Sequence, residues 1–187
     1  MATIRSFIAL PSSSELRKVL REIQTVLAEE GANVKWDTPD KFHITLKFLG
    51  DVDRDKLSTL SDFLSTRIAP VRTFQLKYNS IGVFPDLVHP KVIWAGADTP
   101  KALSELQQKI ELACEEFGVP KETRVFHPHI TLGRVKGSAN LNRLTAKVKS
   151  ITFEPIETNC SEVLLIKSEL RPTGSVYTTL KSFPLNA

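Results

Sequence analysis

Four residues of this chain have the types and spacing for acid–base chemistry on an anion: His43, Thr45, His129 and Thr131. They lie in two copies of the tetrapeptide HITL, within DKFHITLKFLG and VFHPHITLGRV, and the second copy follows the first by 86 residues. A strand sets residues i and i+2 on one face. Each copy therefore presents an imidazole beside a hydroxyl and turns its Ile and Leu the other way, toward a core. A single His-x-Thr is most often a hydrogen-bonded or surface histidine. Two copies change the inference. The chain has only four histidines, and core packing would keep Ile and Leu through a duplication without keeping His and Thr on the opposite face.

Two histidines related by a twofold axis suit in-line displacement at phosphorus. The attacking and leaving oxygens lie on opposite sides of the phosphorus atom. One must lose a proton and the other must gain one, and imidazole, with an ordinary pKa near 6.5, can do either. The two threonine hydroxyls can donate to the equatorial oxygens, where negative charge gathers. A metal site is the chemical rival, because His127 and His129 share a strand face. The sequence has no H-E-x-x-H, no carboxylate cluster and no cysteine beside either motif, and threonine is a poor ligand for metals that favour histidine. No metal and no cofactor are expected.

The elements that position the motifs repeat as well. Ile4–Leu10 is a strand-like apolar run. Ser12–Ser14 open a helix whose Leu16, Val19, Leu20, Ile23, Val26 and Leu27 recur at three- and four-residue spacing, and Gly31 ends it. Ahead of the second motif, Val92–Ala95 is strand-like. Thr99 as cap and Pro100 in the first turn open a helix with Leu103, Leu106, Ile110 and Phe117 on its inner face, and Gly118 stops it. Ala9 with Ala95 and Leu20 with Leu106 keep the 86-residue offset of His43 and His129. After the first motif come a helix over 53–68 and a strand over 74–78, with residues 70–90 a connection without helical pattern. After the second come a shorter helix over 139–148 and a strand beginning at Ile151–Phe153. Strands over 163–167 and 176–181, joined at Pro172-Thr173-Gly174, close the chain.

This order predicts an α+β fold: a bilobal pseudo-twofold duplication with two mostly antiparallel sheets, helices outside, and a central groove carrying both H-x-T-x motifs. One domain spans 1–187, with repeat halves of about 1–88 and 89–187 and terminal strands open to exchange between lobes. At 41% hydrophobic and 25% charged residues, the 187-residue chain can fold without metals or disulfides. No apolar run nears the roughly 20 residues that span a bilayer, and no secretory signal is evident. Cys114 and Cys160 stand apart from any C-x-x-C pair, as in a cytoplasmic protein. The net charge of +4 suits a phosphate or nucleic-acid ligand without specifying one.

The stretches HITLKFLG (43–50), KVIWAG (91–96), FHPHITLGR (126–134) and SELRPTGSVYTTLKSFPL (168–185) resemble the 2H phosphoesterases, and within them the RNA 2′,3′-cyclic phosphodiesterases, also called 2′-5′ RNA ligases of the LigT/ThpR type. The likeness runs nearly end to end. It implies a metal-independent enzyme that opens the 2′,3′-cyclic phosphate at an RNA end to a 2′-phosphate, with reversible 2′-5′ ligation as an associated activity. It also implies His43 as general acid, His129 as general base, and Thr45 and Thr131 as phosphate-binding. A small cyclic phosphate (a cyclic nucleotide or an ADP-ribose cyclic phosphate) and a weakly catalytic RNA-end binding module are the alternative functions. Arg134 and Phe48 are candidate substrate contacts, although strict alternation puts both on the face away from the histidines. Gly133 could permit a bulge that re-aims Arg134, while Phe48 is equally a core aromatic. Tyr177 could reach the groove but is assigned to strand packing, His89 to a loop, and His127 to no fixed role. RNA with a cyclic phosphate end is the expected partner, and a monomer the expected state.

Overall fold

A computed structural model describes residues 3–172 and 174–187. Met1, Ala2 and Thr173, the middle residue of the Pro172-Thr173-Gly174 turn signature, lie outside the described residues. β1 (Thr3–Pro11) carries five consecutive buried residues, Ser6 to Leu10. It is hydrogen-bonded on one side to β3 (His43–Asp53) and on the other to β8 (Glu162–Arg171). Both of its faces are covered, so its sequence does not alternate.

Local chemistry explains the helices. In α1 (Ser14–Ala28) the Ser13 hydroxyl accepts from the Leu16 amide at 3.1 Å, and Leu16, Leu20, Ile23 and Leu27 form the buried stripe. Gly31 follows in the left-handed region at φ 70°. In α2 (Arg54–Ile68) the Asp53 carboxylate caps the first turn. α3 (Lys101–Glu116) starts one residue later than its sequence suggests. Pro100 keeps an extended ψ of 155° and is itself the cap residue, with no side-chain cap bond. α4 (Leu141–Ser150) likewise starts late, after Asn140 in the left-handed conformation.

The remaining strands are β2 (Val34–Trp36), β4 (Phe74–Phe84), β5 (Val92–Ala97), β6 (His129–Val135), β7 (Ile156–Cys160) and β9 (Gly174–Pro184), and the strands pair in the order β7-β4-β5-β6-β3-β1-β8-β9, with β2 against β6. Every pairing between named strands is antiparallel. β4 stands among the second-half strands β5 and β7, and the C-terminal β8 and β9 stand beside β1. The fold is α+β as expected, with one correction. In place of two sheets there is one nine-stranded sheet, joined at the middle by a single pair, Ile44 with Ile130. Joining pairs the two inner strands where they would otherwise be open edges. β4 takes up most of the 70–90 connection. The strand expected at Ile151–Phe153 begins instead at Ile156, because Pro155 has no amide to donate to a ladder.

The helices cover one face of the sheet. Their leucines and isoleucines pack with Ile8, Leu10, Ile44, Leu46, Ile93, Ile130, Leu132 and Leu165 in one core. The other face carries a small buried apolar cluster of Phe7, Ala9 and Ile166, flanked by Leu164 and Tyr177. No helix among the described residues is long and apolar enough to cross a membrane. Cys114 and Cys160 are buried free thiols, both pushed up to about 12 by desolvation.

One charge pair lies inside the core. Lys47 of β3 donates to Glu111 of α3 and to the Pro120 carbonyl at 2.6 Å; Glu111 also accepts from the Glu122 amide at 2.7 Å and from Gln107 at 3.2 Å. Both side chains are about 5% exposed. Every polar atom of the pair is therefore held, which a buried pair requires. Lys47→Met alone strands the Glu111 charge and is expected to lower unfolding free energy by about 3–5 kcal/mol. Lys47→Met with Glu111→Leu should recover most of that loss in urea denaturation. Equal losses in the single and double variants would contradict this account.

Candidate active site

The Ile44–Ile130 pair brings the motifs together. The strands run antiparallel through it, so His43 is set toward Thr131 and Thr45 toward His129. Ile44, Leu46, Ile130 and Leu132 face the core, and the four polar residues stand half-buried on the opposite face. Among the described residues no side-chain hydrogen bond engages the Thr45 or Thr131 hydroxyl.

The histidines are held alike. The His129 ring lies with Nδ1 2.7 Å from the His127 carbonyl. A carbonyl can only accept, so Nδ1 carries the hydrogen and the Nε2 lone pair remains available. The Lys41 backbone, again two residues upstream, acts on the His43 ring to favour its charged form. The walls are aromatic. His43 stacks on Phe7 at 4.8 Å, with the Tyr177 edge at 5.5 Å. His129 meets the Phe84 edge at 5.0 Å and Trp94 at 6.4 Å.

Burial against these walls disfavours the imidazolium. It pushes His43 down to about 4, against the opposing pull of the Lys41 hydrogen bond, and the positive charges of His129 and Arg134 push the same way. His129 is also lowered, first by desolvation and then by His127 and Arg134. Arg134 acts on Asp37 and Tyr177 too. Burial raises the Asp37 carboxyl despite Arg134, Lys41 and Lys35 nearby. One guanidinium thus couples to both histidines, a tyrosine and a carboxyl, which makes the groove a single electrostatic unit.

Arg134 and Phe48 reach this face through matching irregularities. On β6 the register against β5 passes from Thr131–Trp94 to Gly133–Ile93 and skips Leu132. On β3 the register against β1 passes from Thr45–Ala9 to Lys47–Ile8 and skips Leu46. A bulge inserts one residue and reverses the parity beyond it. Leu132 is 86 residues after Leu46, so the two bulges occupy equivalent places. Beyond them Lys47 and Gly133 turn inward, and Phe48 and Arg134 turn out. Phe48 is 66% exposed, 6.0 Å from Phe7, so it is not a core aromatic. Gly133 has a further role: a Cβ there would fall 2.7 Å from Val34 Cγ1 and 2.8 Å from Trp36 Cε3, so its absence lets β2 approach.

Tyr177 does more than pack its strand, since it flanks His43 and lines two neighbouring hollows. One, of about 250 Å³, includes Thr38, Asp40, Lys41 and Ser175; the other, of about 150 Å³, includes Arg17, Asp40, Phe42 and His43. His127 supplies the carbonyl that holds His129, and its ring packs on Trp94 at 4.9 Å. His89 lies in the loop after β4, beside Asp86. Among the described residues no three His, Cys, Asp or Glu side chains are grouped so as to hold a metal ion.

The fold is shared with proteins of known structure. A Thermus thermophilus protein superposes with a TM-score of 0.81 at 27% identity, covering 97% of each chain. E. coli LigT complexed with 3′-AMP superposes with a TM-score of 0.79 at 26% identity, covering 99% of each. The LigT-like phosphoesterase family model matches residues 10–94 and 96–177. The chain belongs to that family. An RNA 2′,3′-cyclic phosphodiesterase of Methanothermobacter thermautotrophicus is 33% identical over 183 residues, covering 97% of this chain and 99% of the relative. One of Thermotoga maritima is 31% identical over 177 residues, covering 95% and 93%.

The depressed His43 pKa has a consequence for stability. Between about pH 6.5 and pH 4 the unfolded chain binds a proton at His43 that the folded protein refuses. Stability is therefore full above pH 6.5 and falls as pH drops toward 4. NMR titration should place the His43 imidazole near 4. His43→Gln should be less sensitive to acid across that window in urea denaturation. A His43 midpoint near 6.5 would overturn both expectations.

Proposed function

We propose that this protein is a metal-independent RNA 2′,3′-cyclic phosphodiesterase that opens the terminal cyclic phosphate to a 2′-phosphate. The observation that carries the reading is the Ile44–Ile130 pair, which sets two imidazole–hydroxyl pairs antiparallel across one groove. The names of the curated relatives support the RNA substrate over a small cyclic phosphate. In this reading 1–187 works as one duplicated domain, as a monomer in the cytoplasm; the two buried free thiols suit a reducing compartment.

The mechanism follows from the geometry. The cyclic phosphate sits between the threonines, with Thr45, Thr131 and Arg134 donating to its non-bridging oxygens and Phe48 available to stack on a base. His129 Nε2 takes a proton from water as the water oxygen bonds to phosphorus. The P–O3′ bond breaks, and His43 gives its proton to O3′. Exchange with solvent resets both rings. A 5′-hydroxyl in place of water would form a 2′-5′ linkage by the same steps. His43 must be protonated to act, and it has the lower pKa in the unliganded groove. The bound phosphate anion supplies the missing stabilisation, since an opposite charge within a few ångströms favours imidazolium.

The test is turnover, in EDTA, of a short RNA ending in 2′,3′-cyclic phosphate, with assignment of the product isomer. A 2′-phosphate is expected. His43→Ala and His129→Ala should each lower kcat by about 10²–10⁴, and Thr45→Ala or Thr131→Ala by about 10²–10³, the usual effect of losing one oxyanion donor. Undiminished turnover in both histidine variants would end the two-histidine mechanism.

The pH profile gives a second test. kcat/KM reports the free enzyme and kcat the complex. Both curves should be bell-shaped, with apparent pKa values that belong to the histidine pair. The kcat/KM bell should lie acidic of the ordinary histidine range. The kcat bell should move to higher pH, because substrate raises both groups. Coincident bells would show that the bound anion does not retune the pair.

A further inference from the structure

Gln24 stands in the apolar stripe of α1, between Leu20 and Leu27, with only 1% of its surface exposed. A leucine would fill such a position without needing partners, and a buried amide is costly unless its polar atoms are bonded. Gln24 bonds all of them. Its Nε2 donates to the Leu132 carbonyl at 2.7 Å and to the Asp37 carbonyl at 2.8 Å, and its Oε1 accepts from Arg21 at 3.3 Å.

Both carbonyls belong to the groove. Leu132 is the residue that the β5 register skips, so its backbone cannot be fixed by a ladder partner on that side. Its carbonyl is fixed instead by Gln24 and by the Asp37 amide at 2.9 Å. The parity change at Leu132 turns Arg134 outward to the face of His129 and Thr131. Asp37, the other segment Gln24 holds, carries a carboxyl coupled to Arg134. The amide therefore ties together the two backbone segments that carry Asp37 and Arg134, whose charges act on one another.

We propose that Gln24 is a positioning residue: by clamping the Leu132 bulge and the Asp37 backbone, it sets the Arg134 guanidinium for contact with the substrate phosphate. β3 has a counterpart, because Lys47, which follows the skipped Leu46, is clamped by Glu111 of α3. The support is crosswise, with a first-half helix holding the second-half bulge and a second-half helix holding the first. The assignment rests on the proposed role of Arg134 at phosphate, and the experiment separates the two.

Gln24→Met keeps the side chain's length and removes both donors. Misplacing a binding group by about an ångström can cost up to about 100-fold, so kcat/KM on RNA 2′,3′-cyclic phosphate should fall by about 10- to 100-fold. Gln24→Met/Arg134→Ala should be no worse than Arg134→Ala, since coupled residues do not add. A merely structural residue would multiply the two losses. Gln24→Glu, of the same volume, should show the same loss at neutral pH and stands in if the Met variant does not fold. Inorganic phosphate binding, followed through the His129 imidazole NMR signal, should weaken in parallel. If the wild-type protein does not open the cyclic phosphate, the functional reading fails, and phosphate affinity still decides the role of Gln24. Wild-type kcat/KM and phosphate affinity in a folded Gln24 variant, or multiplying losses with Arg134→Ala, would overturn the proposal.

Discussion

The site depends on one backbone contact, the antiparallel pairing of Ile44 with Ile130. Each isoleucine is buried among the helices, so the pair is held from the core side. The period of two along a strand then determines the rest. If both isoleucines point down, the histidines and threonines that flank them point up, and the antiparallel sense places each histidine toward the other half's threonine. A one-residue slip of either strand at this pair would turn that strand's histidine and threonine into the core. The apolar half of each motif therefore acts as the register lock for the polar half. Among the described residues no other ladder pair links β3 to β6, so the strands can diverge on either side and leave a groove.

A purely regular sheet could not complete the site. It would aim Arg134 and Phe48 into the core and Lys47 toward the groove. The bulges at Leu46 and Leu132 reverse that outcome in both halves at the same repeat position. Bulges open the ladder; at Leu132 the carbonyl is taken up by buried Gln24 of α1, and after Leu46 the inward-turned Lys47 side chain is taken up by buried Glu111 of α3, each from a helix of the opposite half. The duplication thus supplies two half-sites, and the crossed supports keep each half-site tied to the body of the other.

How much of this is legible in the sequence follows from what kind of property each feature is. The faces of α1 and α3, the 86-residue offset and the opposed faces of HITL are properties of one segment and its period, so they can be read directly. The bulges are properties of two strands in register. Gly133 hints at one, but Leu46 and Leu132 look like ordinary core leucines. Phe7 could not be assigned to the groove because β1 is buried on both faces and shows no alternation. Tyr177 is placed by β9 pairing with β8, and β8 with β1, two steps of topology away from His43. Gln24 has a visible signal, a polar residue inside an otherwise apolar stripe, but its partners lie 13 and 108 residues away. The strand expected from Ile151 begins at Ile156 for a local reason, Pro155.

The electrostatics of the groove follow from the same arrangement. The face opposite the helices has little apolar material of its own, and four of its aromatic rings, Phe7, Tyr177, Phe84 and Trp94, pack against the two imidazoles. That packing fixes the ring planes and removes water, which drives both rings toward the neutral form. Arg134, held outward by its bulge, adds a guanidinium beside both rings. A groove with that cation and two reluctant bases favours an anion over a neutral ligand. Once the anion arrives, it offsets the guanidinium and lowers the cost of protonating a histidine. The protonation state needed for acid catalysis is then made by the ligand that requires it, and the empty site does not have to bear two or three positive charges in an apolar cleft.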